Sequence, residues 1–82
     1  MRMMLIDSKN KVKTVEVCHI GMVVINNNKE QALALNLSNG QIMHVHLDKY
    51  IHVQKILPEI NKELFHSGKY CLDCERFEFC KN

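Results

Sequence analysis

Three cysteines stand within ten residues near the end of the chain: Cys71, Cys74 and Cys80, in the run YCLDCERFEFCKN. Thiolates two residues apart can both turn onto one metal ion, because the intervening pair forms a tight knuckle. Cys80 would add a third ligand, and a four-coordinate structural zinc then needs one more sulfur or nitrogen. Cys18 is favoured as the fourth, since it would tie the tail back to the upstream scaffold. His66, five residues before Cys71, is the alternative, and His19 beside Cys18 is a further candidate. The competing reading treats the thiols as small buried hydrophobes with no metal. A redox role for Cys71–Cys74 would need a helix beginning at Cys71 to lower its pKa, and the pattern predicts none.

The compartment decides between metal and disulfide. The first residues, MRMMLIDSKNK, hold only a short apolar run, Met3 to Ile6, before Asp7, which is no secretory core. No stretch approaches the roughly 18 apolar residues that would span a bilayer. The expectation is a soluble, cytoplasmic protein with reduced thiols, where Cys-x-x-Cys is metal or redox chemistry.

Over Tyr70 to Cys80 the spacing is similar to the last three cysteines of the iron–sulfur cluster in RecB-like CRISPR-associated nucleases and AddB-type helicase-nucleases. There the fourth cysteine comes from far upstream, as Cys18 would here. The run also resembles part of the SPASM auxiliary-cluster motif, whose further cysteines are absent from this chain. The resemblance implies an iron–sulfur cluster as the alternative to zinc and carries over no enzymatic activity.

A second set is His44, His46 and His52. His44 and His46 share the polar face of an alternating run, and a following strand would project His52 to the same side. Three histidines around an open fourth position would be a catalytic zinc site. The plainer reading makes them polar outward residues of a half-exposed sheet. Lys9, Lys11 and Lys13 cluster at a turn, but Tyr50 is the one aromatic outside the Phe65-to-Phe79 region. With a net charge of +2 and no stacking platform, nucleic acid is weakly supported.

The scaffold that must hold these groups reads as mostly β. Met3 to Ile6 is a short strand, Asp7 to Asn10 a turn, and Lys11 to Val17 a half-buried strand of period two. Gly21 suggests a bulge or bend, and Met22 to Ile25 is an apolar strand stopped by Asn26-Asn27-Asn28. Leu33, Leu35 and Leu37 alternate up to Ser38-Asn39-Gly40, and Met43, Val45 and Leu47 alternate after it, predicting a hairpin with positive φ at both central positions. Tyr50 to Phe65 has helical spacing, but Pro58 would fall inside such a helix. The preferred parse is a strand over 51–56 and a helix starting at Pro58, where proline suits the first position; one long helix capped by Asp48 is the other. Gly68 is the stop in either case.

The expected architecture is therefore mainly β (α+β): a small antiparallel barrel or curved sheet of five to six short strands, one helix over about 58–66, and a cysteine tail. Residues 1–82 form one domain, with a β scaffold over 1–56, the helix in 57–67 and the tail in 68–82. With 46% apolar and 24% charged residues, the composition is a normal globular balance and argues against disorder. The expected function is a non-enzymatic binding or regulatory module with a metal knuckle, acting through a protein partner. An iron–sulfur or redox component and a small metalloenzyme on His44, His46 and His52 are the alternatives. Self-association through a strand edge would use Ile20 to Ile25. Phe77 and Phe79 read as core anchors, or as a partner surface if exposed.

Overall fold

The computed structural model describes residues 1–25 and 30–80, so the predicted turn at Asn26 to Asn28 lies outside the described residues. The elements are β1 (Arg2–Ile6), β2 (Val12–Ile25), β3 (Glu30–Leu37), β4 (Ile42–His46), α1 (Val53–Ser67), β5 (Lys69–Asp73) and β6 (Arg76–Phe79). The strands form one sheet in the order β5-β1-β2-β3-β4-β6, curled into a half-barrel against the single helix. Neighbours are antiparallel except β1 and β5, which run parallel.

Alternation builds the core. Met3, Leu5, Val15, Val17, Leu33, Leu35, Leu37, Met43 and Val45 all face the concave side and are buried. On β2 the inward set changes parity, from Val15 and Val17 to Ile20, and the extra residue that permits this is Cys18. The register with β3 slips between Val17 and His19, which is a bulge. The bulge predicted at Gly21 thus lies three residues earlier, and β2 runs through Gly21 unbroken. A Cβ there would meet nothing closer than His19 Nε2 at 4.0 Å, so that glycine answers no close approach.

The β3–β4 hairpin forms where the alternation places it, but with a different turn. The Gly40 amide donates to the Leu37 carbonyl at 3.0 Å and the Leu37 amide to the Gln41 carbonyl at 2.9 Å. Only Gly40 has positive φ, at 89°, so this is a three-residue loop with a left-handed closing residue. The β1–β2 turn repeats the device with Asn10 at φ 62°. There the Asp7 carboxylate accepts from the amides of Lys9 and Lys11 at 2.9 and 2.8 Å.

The segment after β4 departs from the preferred parse. Residues 53–56 are helical, not strand, and Pro58 lies inside α1. The apolar stripe decides it: Val53, Ile60 and Leu64 are buried, with Ile56 and Leu57 packed against the core. A strand over 51–56 would have stranded that stripe. Pro58 removes only the bond to the Gln54 carbonyl, and both residues are exposed, so water can take the place of the amide. Asp48 belongs to the preceding turn, accepting from the Tyr50 amide at 2.9 Å. The helix ends as expected, on Gly68 at φ 74°, whose amide donates to the Leu64 carbonyl.

The cysteine tail is itself two strands. The Cys74 amide donates to the Ile6 carbonyl and the next amide, Glu75, donates to the His46 carbonyl, each at 2.8 Å. Two successive residues therefore tie the ends of β1 and β4 together, and this link curls the sheet.

Candidate functional site

The four thiols are dispersed over this frame. Cys71 sits exposed on the outer face of β5, beside Met4 of β1. Cys74 lies at the β5–β6 link and is buried. Its thiol donates to the Ile6 carbonyl at 3.5 Å. Burial, then the carboxylates of Asp7, Asp73 and Glu75, push it up to about 11 from 9.0, which opposes the thiolate that a metal requires. Cys80 follows β6, with its amide on the Ile42 carbonyl. Six positions, including the whole of β6, separate it from Cys74 along the chain. Cys18 occupies the β2 bulge and gives its thiol to the Asn36 carbonyl at 3.3 Å. His66 is exposed in the last turn of α1, its ring edge-on to Phe65. Among the described residues, no group of three or more His, Cys, Asp or Glu side chains is arranged to hold a metal ion. The donor set as folded does not fit a zinc or an iron–sulfur centre; gathering it would require β6 to leave β4.

The histidines are likewise separated in role. His44 and His46 share the outer face of β4, as the alternation predicts, while His52 precedes α1 as its cap residue, without a side-chain capping bond. His46 is 2% exposed, covered by neighbouring side chains despite facing outward. Its Nδ1 lies 3.0 Å from Glu30 Oε1 and its Nε2 3.1 Å from Glu78 Oε1, with Arg76 3.8 Å from the same Glu30 oxygen. Both ring nitrogens are occupied by contacts to carboxylates within the chain. The arrangement pins β3, β4 and β6 together on the outer face.

Phe77 packs against the core, but Phe79 is 43% exposed. Lys11 and Lys13 of the β1–β2 hairpin lie over these two rings, at 5.7 and 5.2 Å from the ring centres. The basic cluster therefore closes the gap between the start of β2 and β6, with its apolar stems on the rings and its charges outward.

The edge of β5 is open, a feature that no local sequence pattern signalled. β5 terminates the strand order and pairs with β1 alone. The Gly68 carbonyl accepts from the Arg2 amide at 2.9 Å, and the Cys74 amide donates to Ile6. A parallel ladder uses alternate residues, so Gly68, Tyr70, Leu72 and Cys74 direct their backbone groups to β1. Lys69, Cys71 and Asp73 direct theirs to the free edge, where the Lys69 carbonyl takes one bond from the Ser67 hydroxyl at 3.0 Å. A groove of about 720 Å³ runs there, lined in part by Glu59 and Glu63 of α1, Lys69 and Cys71 of β5, and Met4 and Thr14 of the outer face. Tyr70, half-buried at its margin, has its phenol pKa raised by burial and then by Glu59, Glu63 and Cys71.

Compared with protein-family models, curated proteins and solved structures, the chain matches none. Among the described residues, no helix is long and apolar enough to cross a membrane.

Proposed function

We propose that this chain is a non-enzymatic binding module that takes an extended protein segment along the free edge of β5. The observation that carries the reading is the row of outward backbone groups at Lys69, Cys71 and Asp73 beside an open groove. Strand addition draws its affinity from main-chain hydrogen bonds and its selectivity from side chains at alternate positions. Glu59 and Glu63 of α1 flank the groove, so a segment with basic side chains suits it. Binding is favoured over catalysis because two of the reactive groups, Cys74 and His46, are committed to the fold: the Cys74 thiol is held protonated and His46 is clamped at both nitrogens.

Cys71→Pro tests this. The Cys71 amide faces the edge, so proline removes a donor that the fold does not use. Peptides selected from a displayed random library on the wild-type chain are expected to lose binding to the variant and to slow exchange of the Cys71 amide. Selected binders that are indifferent to Cys71→Pro, with the variant folded by circular dichroism, would overturn the reading.

A further inference from the structure

We propose that the segment that seats on β5 is β5 of a second copy, in an antiparallel pair whose two-fold axis passes between the two Cys71 residues. This rests on the free-edge reading above and names its partner. The strand Lys69-Tyr70-Cys71-Leu72-Asp73 is its own complement when run against itself. With Cys71 opposite Cys71, Lys69 of each copy faces Asp73 of the other, and Tyr70 faces Leu72. Opposite charges directly across a ladder attract and like charges repel. Sliding one copy by two residues loses both Lys–Asp pairs, so charge selects this register.

The backbone agrees with that register. Residues opposite each other in an antiparallel pair either exchange both hydrogen bonds or neither. Lys69, Cys71 and Asp73 are the residues whose amides and carbonyls face outward, and the register sets these three opposite one another, giving three bonded pairs across the axis. The faces agree too: Tyr70 and Leu72 point to the concave side and Cys71 to the outer side in both copies.

The edge of β6 is less suited. β6 carries Arg76 and Glu78, but Arg76 is beside Glu30 and Glu78 is bound to His46 within the chain. Among the described residues, Lys69 and Asp73 make no ion pair. Their charges are available to a partner, and each fits the other.

Charge reversal in the full chain tests the register. Light scattering of the wild type across a concentration series is expected to pass from the 9.6 kDa monomer to twice that mass. Lys69→Glu and Asp73→Lys should each weaken the dimer by about tenfold, since each sets like charges opposite one another twice. The double variant restores the pairs in reversed order and should return the dimer to wild-type strength. Cys71→Pro should be monomeric, with an unchanged circular dichroism spectrum. A dimer indifferent to these changes would place the contact elsewhere, such as the Ile20-to-Ile25 edge, and overturn the proposal. A wild type monomeric at every concentration would also overturn it; the free-edge reading would still stand if selected peptides depend on the Cys71 amide.

Discussion

Cys74 and Ile6 are joined twice, by the Cys74 amide at 2.8 Å and by its thiol at 3.5 Å, both onto the Ile6 carbonyl. The contact lies where the parallel β1–β5 ladder ends and the chain crosses to β4. A thiolate there would face that carbonyl oxygen and three nearby carboxylates, so the folded state favours the protonated thiol.

Alkali should therefore destabilise the protein through Cys74. The thiol is raised from 9.0 to about 11, so the folded state holds its proton more tightly than the unfolded chain does. The contribution is fully present below about pH 9 and is lost as pH rises towards 11. A shift of this size is worth at most about 3 kcal/mol. Tyr70, also raised, adds in the same direction at higher pH. Urea midpoints should fall between about pH 8 and about pH 10.5, and Cys74→Ala should flatten that fall. Equal slopes for variant and wild type would show that the thiol is not the group responsible.

His46 should matter more to stability than either carboxylate that holds it. The ring is buried, whereas Glu30 and Glu78 are partly exposed and can turn to water. His46→Ala opens a void on the outer face and unties β3 from β6, at a cost of about 2 to 3 kcal/mol. Glu78→Gln keeps an acceptor and should cost less than about 1 kcal/mol. Chemical denaturation of the two variants checks the order, and a larger loss for Glu78→Gln would refute it.

Replacing Pro58 by alanine should stabilise the chain. The site is exposed and interior to α1, so alanine restores an amide for the Gln54 carbonyl and removes the ring's clash with that turn. The unfolded chain regains some freedom, which opposes the gain. A net increase of about 1 kcal/mol is expected in urea denaturation, and a loss would mean that the ring itself packs usefully beside Leu57.

Elements that obey a local period were legible in the sequence, and the misreadings have local causes. Leu33 to Leu47 announced its hairpin because each inward residue is apolar and each loop residue polar. The turn type was missed because Asn39-Gly40 serves both two- and three-residue loops, and only the backbone shows that Asn39 keeps negative φ. Pro58 drew the helix start too far along, since one exposed proline costs less than leaving Val53 and Ile56 unburied. For Cys71, Cys74 and Cys80 the limit is different. Their spacing is compatible with a knuckle, yet β5 finds its partner in β1, about 67 positions earlier; nothing local in YCLDCERFEFC encodes so distant a pairing. The free edge of β5, and with it the candidate site, follows from that pairing.

The same pairing sets what metal analysis should find. To bring Cys71, Cys74 and Cys80 onto one ion, β6 must abandon β4, which breaks the Glu78–His46 contact and lifts Phe77 from the core. Cys74 must also lose its proton against burial and three carboxylates. A structural zinc site could offset such losses only if four ligands converged, and Cys18 is held at its bulge by the Asn36 carbonyl while His66 stands in the last turn of α1. Protein purified without chelator is therefore expected to carry substoichiometric zinc and iron, to lack a visible absorption band, and to melt at the same temperature after chelator treatment. A thiol reagent should modify exposed Cys71 well before buried Cys74. A full equivalent of zinc that is lost in both Cys71→Ser and Cys80→Ser would instead mean that the tail leaves the sheet to form the knuckle its spacing suggests, and the free edge of β5 would go with it.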